Sequence, residues 1–321
     1  MILSIVIVNW NTRDLLTQCL ESVASDPDLS IERGENLSAT SLTPPAGHGL
    51  WPTEAWVVDN ASSDGSSQMV RERFPWVRLI ENRKNLGFAA ANNQAMRQAQ
   101  GRYVLLLNSD TEVRPGALPA LLQFMEDHPS AGAGGARLLS CDGSLQLSCH
   151  PMLTPGREFW RLLFLDRIWP RASYPMHHWD PDLPRRVEVI KGACLLLRRE
   201  ALDQVGLLDE RYFIYTEELD LCYRLAQAGW ELWWVPQAEV LHHEAQSTRQ
   251  VAEEMYVQLY RSKVQFYRKS GGPNQVQRFK RWLRLAYWPR LAASTLGSSF
   301  YPSLAVRARI YRRLLAELPR M

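Results

Sequence analysis

The sequence predicts an α/β fold in which a mostly parallel sheet carries helices on both faces. Apolar runs rich in β-branched residues, such as Ile2–Val8, show no polar alternation, which is typical of strands buried on both sides. Stretches with helical spacing of apolar residues separate these runs over roughly the first 140 residues. The resulting βαβα alternation is that of a Rossmann-like domain.

The strand predictions follow apolar runs that end at polar or turn-forming residues. In chain order they are Ile2–Val8, Ala55–Val58, Val77–Ile80, Tyr103–Leu107, Val187–Ile190 and Cys194–Leu197. Helices are expected where apolar residues recur every three to four positions. They are residues 12–24, a stretch from Asp64, Phe88–Gln98, Pro115–Asp127 with proline in its first turn, a stretch from Arg199 and the region after Gln246.

One segment, Asp26–Thr53, interrupts this rhythm. It is rich in Ser, Pro, Gly and Thr and stands where a short connection from helix to strand is expected. We therefore interpret residues 26–53 as a surface insertion. The chain is predicted to form an α/β domain over residues 1–247 and a basic helical extension over residues 248–321.

The composition is that of a folded, water-soluble protein, with 46% apolar and 22% charged residues. The five cysteines are scattered and form no CxxC pair, which favours reduced thiols in the cytoplasm over disulfides or a zinc site. The apolar start lacks the basic region of a signal peptide. Since no run of about 18 uncharged apolar residues occurs, no membrane span is predicted.

Charge is distributed unevenly along the chain. From Arg261 onward there are 14 Lys and Arg against one acid, Glu317, so the first 260 residues are net acidic. Leu304, Ala308, Tyr311, Leu315 and Leu318 follow helical spacing among arginines. Such a basic amphipathic helix suits an anionic membrane surface. It equally suits a helix that packs its apolar side on the main domain and leaves the arginines in solvent.

Polar clusters follow four successive predicted strands. In open α/β sheets, ligands bind at the carboxyl ends of the strands, so these clusters are expected to line one crevice. Taken singly, each is also compatible with a turn or a helix cap. The clusters are Asn9-Trp10-Asn11, the run from Asp59 to Ser66, Asn85-Leu86-Gly87 and Asn108-Ser109-Asp110.

The runs SIVIVNWN, VVDNASSDGS, NLGFAAANN, YVLLLNSDTEV and the long stretch from GACLLLRRE to LAQAGW resemble the inverting glycosyltransferases of family 2. The resemblance is strongest to the bacterial rhamnosyltransferase-like branch and extends from about Ile2 to Ser247. It implies the GT-A variant of the Rossmann-like fold. It also implies a nucleotide-sugar donor.

The resemblance assigns donor binding to the strand-end clusters. Asp59 corresponds to the acid that binds the pyrimidine base, and Asn85 and Gly87 to the segment that closes over the nucleotide. Further donor-binding residues are expected to be Val8, Asn9, Asn11, Asn60, Asn108 and Ser109. Gly192 and Ala193 correspond to the segment beneath the sugar and the acceptor, where small residues allow close approach.

A divalent cation, Mg²⁺ or Mn²⁺, is implied by the same resemblance. Asp110 matches the last acid of the family's DxD-type motif, in which Asn108 here replaces the first Asp. A hard cation held there would neutralise the leaving diphosphate. His242 is expected to be a second ligand. His243 is the alternative, because adjacent residues of an extended chain point in opposite directions.

The catalytic base is expected within the segment Tyr215–Asp220. Transfer to a hydroxyl needs a carboxylate that accepts its proton. The family reads Glu-Asp-x-Asp here and uses the first Asp, a position that Glu218 holds in this chain. We rank Glu218 first, Asp220 second and Glu217 third. A helix start rich in acids is the structural alternative.

The sequence thus predicts an inverting glycosyltransferase that moves a sugar, rhamnose from dTDP-rhamnose, to a saccharide or lipid-linked saccharide in surface polysaccharide synthesis. It is expected in the cytoplasm, peripheral to the inner face of the membrane. One alternative is a nucleotide-sugar-binding protein without turnover, suggested by Asn108 and Glu218. The other is a nucleic-acid-binding protein that uses the basic tail, although no nucleic-acid motif occurs and no such partner is expected.

Overall fold

The computed structural model describes residues 1–31, 50–169, 172–243 and 252–321. Its strands are β1 (Leu3–Asn9), β2 (Leu29–Ile31), β3 (Trp51–Asp59), β4 (Val77–Glu81), β5 (Tyr103–Asn108), β6 (Thr111–Val113), β7 (Ala131–Leu139), β8 (Cys149–His150), β9 (Arg185–Arg186), β10 (Val189–Ile190), β11 (Cys194–Arg198) and β12 (Glu231–His242). Its helices are α1 (Arg13–Ala24), α2 (Ser66–Arg73), α3 (Phe88–Met96), α4 (Ala117–Asp127), α5 (Pro155–Leu162), α6 (Arg199–Val205), α7 (Glu217–Gln227), α8 (Ala252–Gly297) and α9 (Pro302–Glu317).

Ten of these strands form one sheet in the order β2-β3-β1-β5-β11-β7-β12-β6, with β4 beside β3 and β9 beside β12. Strands β1 to β5 pair in parallel, whereas β11 runs antiparallel to both β5 and β7. A separate antiparallel pair is formed by β8 and β10. The predicted mostly parallel sheet is confirmed. The antiparallel position of β11 between β5 and β7 was not predicted.

The two faces of the sheet carry different helices because side chains alternate along each strand. Val6 and Leu106 belong to a cluster that includes residues of α3, α6, α7 and α8. Ile7 and Leu105 belong to the opposite cluster, which includes residues of α1, α2 and α4. Each such fully buried side chain stabilises the fold by about 1.5–3 kcal/mol. The prediction of helices on both faces is therefore confirmed.

The ends of the predicted insertion lie in the sheet. Leu29–Ile31 pairs in parallel with the first residues of β3, from Trp51 to Thr53. Asp26 accepts a hydrogen bond from the backbone N–H of Gly116. Residues 32–49 lie outside the described part of the chain. Residues 29–31 and 51–53 of the predicted insertion thus belong to the sheet.

The C-terminal helices pack on the α/β core. Within α8, Gly272 has φ 70° and ψ −170°, so the helix is interrupted there and restarts at Pro273. Buried Tyr260, Phe266 and Phe279 of α8 join the hydrophobic cluster that also contains α7. The described helices include none that is long and apolar enough to cross a membrane.

Helix α9 buries its predicted apolar face inside the protein. Ala308 is buried and Leu318, just past the helix, is buried too, while Tyr311 and Leu315 pack against the same cluster as α8. The arginines of α9, Arg307, Arg309, Arg312 and Arg313, are exposed. The apolar side of α9 is therefore occupied by α8, as in the packing interpretation of the tail.

Candidate active site

The carboxyl ends of β1, β3 and β5 meet at one edge of the sheet because these strands are parallel. A cavity of about 640 Å³ opens there. Twelve of the residues predicted to form the site line it. They are Val8, Asn60, Asn85, Gly87, Asn108, Ser109, Asp110, Gly192, Ala193, Glu217, Glu218 and His242.

Asn60 holds the loop after β4 against the cavity. Its side-chain Nδ2 donates to Asn85 Oδ1 over 2.8 Å and to the Gly87 carbonyl over 3.2 Å. Its Oδ1 accepts from the Leu86 backbone N–H over 2.9 Å. The buried side-chain amide of Asn60 therefore forms hydrogen bonds with each residue of this turn. These bonds keep residues 85–87 at the rim of the cavity.

Asn9, Asn11 and Asp59 lie just behind the wall and do not line the cavity. Asn9 Nδ2 donates to Asp59 Oδ1 over 3.0 Å, and the other Asp59 oxygen accepts from the Ser62 N–H. Asn11, at φ 53°, accepts from the Ser63 N–H. In this structure these three residues shape the loops after β1 and β3.

Gly87 occupies a position that other residues cannot enter without strain. It has φ +84°, and a Cβ built on it would lie 2.3 Å from the Phe213 carbonyl oxygen. The Phe88 N–H donates to the same oxygen over 2.6 Å. The glycine therefore permits contact between the donor loop and the loop that precedes α7.

We expect Gly87→Ala to lower the free energy of unfolding by about 2–3 kcal/mol, because the methyl group would collide with backbone. Urea titration of both proteins measures this. Gly143→Ala is the matched control, since Gly143 has φ +80° with nothing within 4 Å of the added Cβ. In that variant only the cost of a left-handed backbone at a non-glycine residue applies, about 1–2 kcal/mol. Equal losses in the two variants would contradict the steric explanation.

Asp110 and His242 form the polar centre of one wall. Asp110 follows β5 and His242 ends β12, and both are almost buried. Asp110 Oδ1 lies 3.4 Å from His242 Nε2, and Asn108 Nδ2 lies 3.4 Å from the same nitrogen. The structure therefore brings the first and last residues of the Asn108-Ser109-Asp110 motif to the predicted histidine.

His243 points away from this centre. Its Nε2 lies 2.7 Å from Glu112 Oε1 and its Nδ1 lies 3.1 Å from Cys141 Sγ. Cys141 is the one exposed cysteine, and all five cysteines are unpaired. Of the two adjacent histidines, only His242 lines the cavity.

The acidic segment also borders the cavity, at the start of α7. Tyr215 and Thr216 immediately before it have φ values of 68° and 77°. Left-handed backbone at such non-glycine residues costs about 1–3 kcal/mol each and is concentrated at functional sites. It turns the chain so that Glu217 and Glu218 both line the cavity.

The two glutamates differ in electrostatic surroundings. Burial raises the pKa of Glu217 well above its ordinary value, and the charge of Glu218 raises it further. Burial also raises the pKa of Glu218, but first-turn N–H groups of α7 and the Lys191 ammonium oppose this rise. Within the described chain, one carboxyl oxygen of each residue has no hydrogen-bond partner. Ionisation is therefore easier for Glu218 than for Glu217.

Asp220 lies on another side of α7 and does not line the cavity. It is fully buried, with Lys269 Nζ of α8 at 2.8 Å and Arg224 Nε at 2.8 Å. Arg224 also donates to the carbonyls of Val205, Gly206 and Leu207. In this structure Asp220 joins α7 to α8 and to the loop after α6.

Gly192 and Ala193 lie between Glu218 and the end of β5. A Cβ on Gly192 would lie 3.7 Å from Glu218 Cβ, so the glycine backbone borders the acid. The Ala193 carbonyl accepts from the Asn108 N–H over 3.0 Å. This short segment before β11 therefore sets the spacing between the acid and the Asp110 side of the cavity.

Seven residues of the cavity were missed by sequence reasoning. Burial lowers the pKa of His150 to about 4, so this imidazole is neutral near pH 7. Lys191 adjoins the predicted Gly192, and that adjacency is the one signal that could have found it. The seven are Phe88, His150, Lys191, Phe213, Ile214, Glu254 and Met255.

The profile of the family described as Glycosyl transferase family 2 matches residues 4–206, well over half of the chain. The chain belongs to glycosyl transferase family 2. It is 38% identical over 212 residues to the N-acetylglucosaminyl-diphospho-decaprenol L-rhamnosyltransferase of Mycobacterium tuberculosis. That alignment covers 61% of this chain and 68% of the relative. The predicted enzyme class is confirmed.

Solved structures of glycosyltransferases share the fold. The mannosyltransferase PcManGT of Pyrobaculum calidifontis, in complex with GDP-Man and Mn²⁺, has a TM-score of 0.52 at 16% identity and covers 98% of this chain and 85% of its own. TarS 1–349 of S. aureus, in complex with UDP-GlcNAc, has a TM-score of 0.52 at 15% identity and covers 100% and 92%. This glycosyltransferase therefore has the predicted GT-A-like fold.

Proposed function

We propose that this glycosyltransferase moves rhamnose from dTDP-rhamnose to a hydroxyl of a lipid-linked saccharide, with inversion at the anomeric carbon. The observation that carries the proposal is one shared cavity that Asp110, His242 and Glu218 all line. The name of the mycobacterial relative supports the choice of rhamnose and of a diphosphate-linked lipid acceptor. The role is in surface polysaccharide synthesis.

Asp110 and His242 are proposed to hold a divalent cation, Mg²⁺ or Mn²⁺. A separation of 3.4 Å between Asp110 Oδ1 and His242 Nε2 suits two ligands that share one ion with bonds of about 2.1 Å. Among the described residues no cluster of three or more His, Cys, Asp or Glu is arranged for a metal. Donor phosphates and water would complete the coordination, as is usual for Mg²⁺. A bound cation would neutralise the leaving diphosphate.

The protein's own residues are proposed to act as follows. Glu218 accepts the proton of the acceptor hydroxyl while the hydroxyl oxygen forms a bond to the anomeric carbon. The bond from that carbon to the donor phosphate breaks on the opposite face, and the nucleoside diphosphate leaves. Residues 85–87, held by Asn60, enclose the donor, and Asp59 with Asn9 and Asn11 supports the nucleoside side. Lys191 favours the ionised form of Glu218.

A donor screen tests the proposal. With Mn²⁺, dTDP-rhamnose is expected to raise the melting temperature more than UDP or GDP sugars do, because ligand binding to the folded state stabilises it. Chelation by EDTA and the variant Asp110→Asn are expected to remove most of that shift. A lipid-diphosphate GlcNAc acceptor should then yield a rhamnosylated product by mass spectrometry.

Two outcomes would redirect the assignment. A metal-dependent shift without product for any acceptor would favour a nucleotide-sugar-binding protein without turnover. A shift with another sugar nucleotide alone would retain the mechanism and replace the donor. We propose no nucleic-acid partner. A gel-shift assay checks this, and RNA or DNA should migrate unchanged in the presence of the protein.

We further propose that the enzyme works at the cytoplasmic face of an anionic membrane through α8. After Gly272, one side of this helix exposes a stripe of basic and then apolar residues at spacings of three to four. Leu285, Trp288 and Leu296 are 63%, 60% and 78% exposed. The stripe consists of Arg281, Arg284, Leu285, Trp288, Ala292 and Leu296. Basic residues next to exposed aromatics suit lipid headgroups and the acyl boundary.

Removing the apolar part of the stripe is expected to weaken membrane binding. Leu285→Glu with Trp288→Glu should reduce flotation with vesicles of anionic and neutral phospholipids at least tenfold, because acids are repelled where apolar side chains inserted. Leu183→Glu, at a loop leucine that is 56% exposed, is the control and should float like the wild type. Undiminished flotation of the double variant would refute the role of the stripe.

A further inference from the structure

Gln146 makes an unusual pair of contacts with His242. It lies in the loop after β7, is 9% exposed, and its backbone N–H donates to the Leu138 carbonyl over 2.9 Å. Its side chain then contacts both the backbone and the ring of the same histidine. The loop is thereby fixed to the end of β12.

The contact with the His242 backbone determines where the oxygen and the NH₂ group of the Gln146 side-chain amide lie. Gln146 Nε2 lies 2.8 Å from the His242 carbonyl oxygen, and a carbonyl oxygen only accepts hydrogen bonds. The NH₂ group must therefore occupy that end, with Ser140 Oγ at 3.2 Å as its second neighbour. The amide oxygen Oε1 is left facing the imidazole.

The ring contact then places the proton on the imidazole. Gln146 Oε1 lies 3.0 Å from His242 Nδ1, and an amide oxygen cannot donate. Nδ1 must carry the hydrogen, so Nε2 of the neutral ring carries a lone pair. Asn108 Nδ2, an N–H donor 3.4 Å from Nε2, agrees with this arrangement.

His242 Nε2 lies 3.4 Å from Asp110 Oδ1, and both side chains are almost buried. A neutral imidazole with its other nitrogen held by a hydrogen bond is the form in which histidine binds metals. His243 differs, since Glu112 and Cys141 occupy its two nitrogens.

We propose that Gln146 is a positioning residue that holds His242 as the Nδ1–H tautomer and so presents Nε2 to the divalent cation. This inference rests on the proposed metal-dependent function. Gln146 itself contacts neither the cation nor the substrate in this assignment. Its effect passes through the orientation and protonation of one ring.

The tautomer can be measured without any metal. In the full-length, metal-free protein labelled with ¹⁵N-histidine, the ring signals of His242 are identified by their loss in His242→Asn. At a pH at which the ring is neutral, we expect the Nδ1 signal to be that of the protonated nitrogen and the Nε2 signal that of the unprotonated one. A neutral ring with its proton on Nε2 would overturn the proposal, and this result needs no Gln146 variant to fold.

Metal affinity supplies the second test. Gln146→Leu is expected to weaken Mn²⁺ binding by about 10- to 100-fold, as measured by electron paramagnetic resonance of free Mn²⁺ in the presence of dTDP. Ser140→Ala removes the other neighbour of the amide but no contact with His242, so it should retain affinity. Unchanged affinity in Gln146→Leu would refute the role.

The two tests separate this inference from the proposed function. If the wild-type protein binds no Mn²⁺ with dTDP, the metal-dependent function fails and with it the role of Gln146 toward the cation. If it binds Mn²⁺ while His242 carries its proton on Nε2, the function stands and the inference about Gln146 is wrong.

Discussion

Replacement of Glu218 by Gln is expected to lower kcat by about 10²- to 10⁴-fold, the usual contribution of a general base. The amide keeps the shape of the side chain but cannot accept the proton of the acceptor hydroxyl. Binding of the donor should change little, because the donor-side residues lie on β1, β3 and β5 and in the loop after β4. Steady-state kinetics and donor titration by calorimetry measure the two effects separately.

Glu217→Gln is the matched control. Burial and the neighbouring Glu218 raise the pKa of Glu217 well above its ordinary value, so its carboxyl is expected to be protonated during turnover. An amide imitates a protonated carboxyl closely, and activity should fall far less than in Glu218→Gln. A large loss in Glu217→Gln with near-normal turnover in Glu218→Gln would exchange the two assignments.

The pH dependence has a defined sign. Because burial raises the pKa of Glu218, its ionised form becomes populated only above that raised pKa. The rate constant kcat should therefore be low in acid and rise as the pH increases through the pKa. A profile of kcat that falls over this range would exclude Glu218 as the base.

Replacement of Asp220 by Asn is expected to lower the free energy of unfolding by about 1–3 kcal/mol, since it removes the charge of a fully buried carboxylate that accepts hydrogen bonds from the partly buried Lys269 and Arg224. Asp220 is fully buried between Lys269 and Arg224. Activity should also fall, because α7 carries Glu218 and a displacement of about 1 Å at the reacting group is costly. Urea denaturation measures the first effect.

The exposed Asp203 provides the comparison for Asp220. Asp203→Asn removes the same charge from a solvent-exposed position on α6 and should change stability by no more than about 0.5 kcal/mol. If Asp220→Asn unfolds at the urea concentration of the wild type, the ion pairs between α7 and α8 do not stabilise the fold. Loss of activity at full stability would instead favour a direct role of Asp220 in catalysis.

The donor side of the site was predictable from sequence because one rule covers it. Parallel strands end at the same edge, so polar residues after β1, β3, β4 and β5 had to converge. This rule alone is enough to bring Asn60, Asn85 and Asp110 to one cavity. Asp59 illustrates the limit of the rule, since it reaches the correct edge but turns its carboxylate into the loop behind the wall.

Helical geometry could have shown that Glu218 and Asp220 face different sides of α7. Residues two apart on a helix point about 200° away from each other, so Glu218 and Asp220 cannot both face one cavity. Sequence reasoning ranked them together because the family motif holds both. What the sequence could not supply was Lys269, 49 residues further along the chain, which meets Asp220 only after α8 folds back.

The other missed residues come from contacts between distant segments. His150 belongs to β8, which pairs with β10 outside the main sheet, so no strand-end rule applies to it. Glu254 and Met255 belong to α8, in the region predicted to be a separate basic extension. Nothing in their own neighbourhood of the sequence indicates a cavity.

The first turn of α8 gives the cavity its last wall, and it lies beyond the residues that the family profile covers. The residues proposed to bind the nucleotide all precede residue 206, whereas the proposed cation ligand His242 and this wall both follow it. We expect relatives that glycosylate different hydroxyls to differ in the sequence of this one helix. The part that binds the sugar nucleotide should stay the same. Grafting the C-terminal helices between two such enzymes should exchange acceptor choice without exchanging the donor.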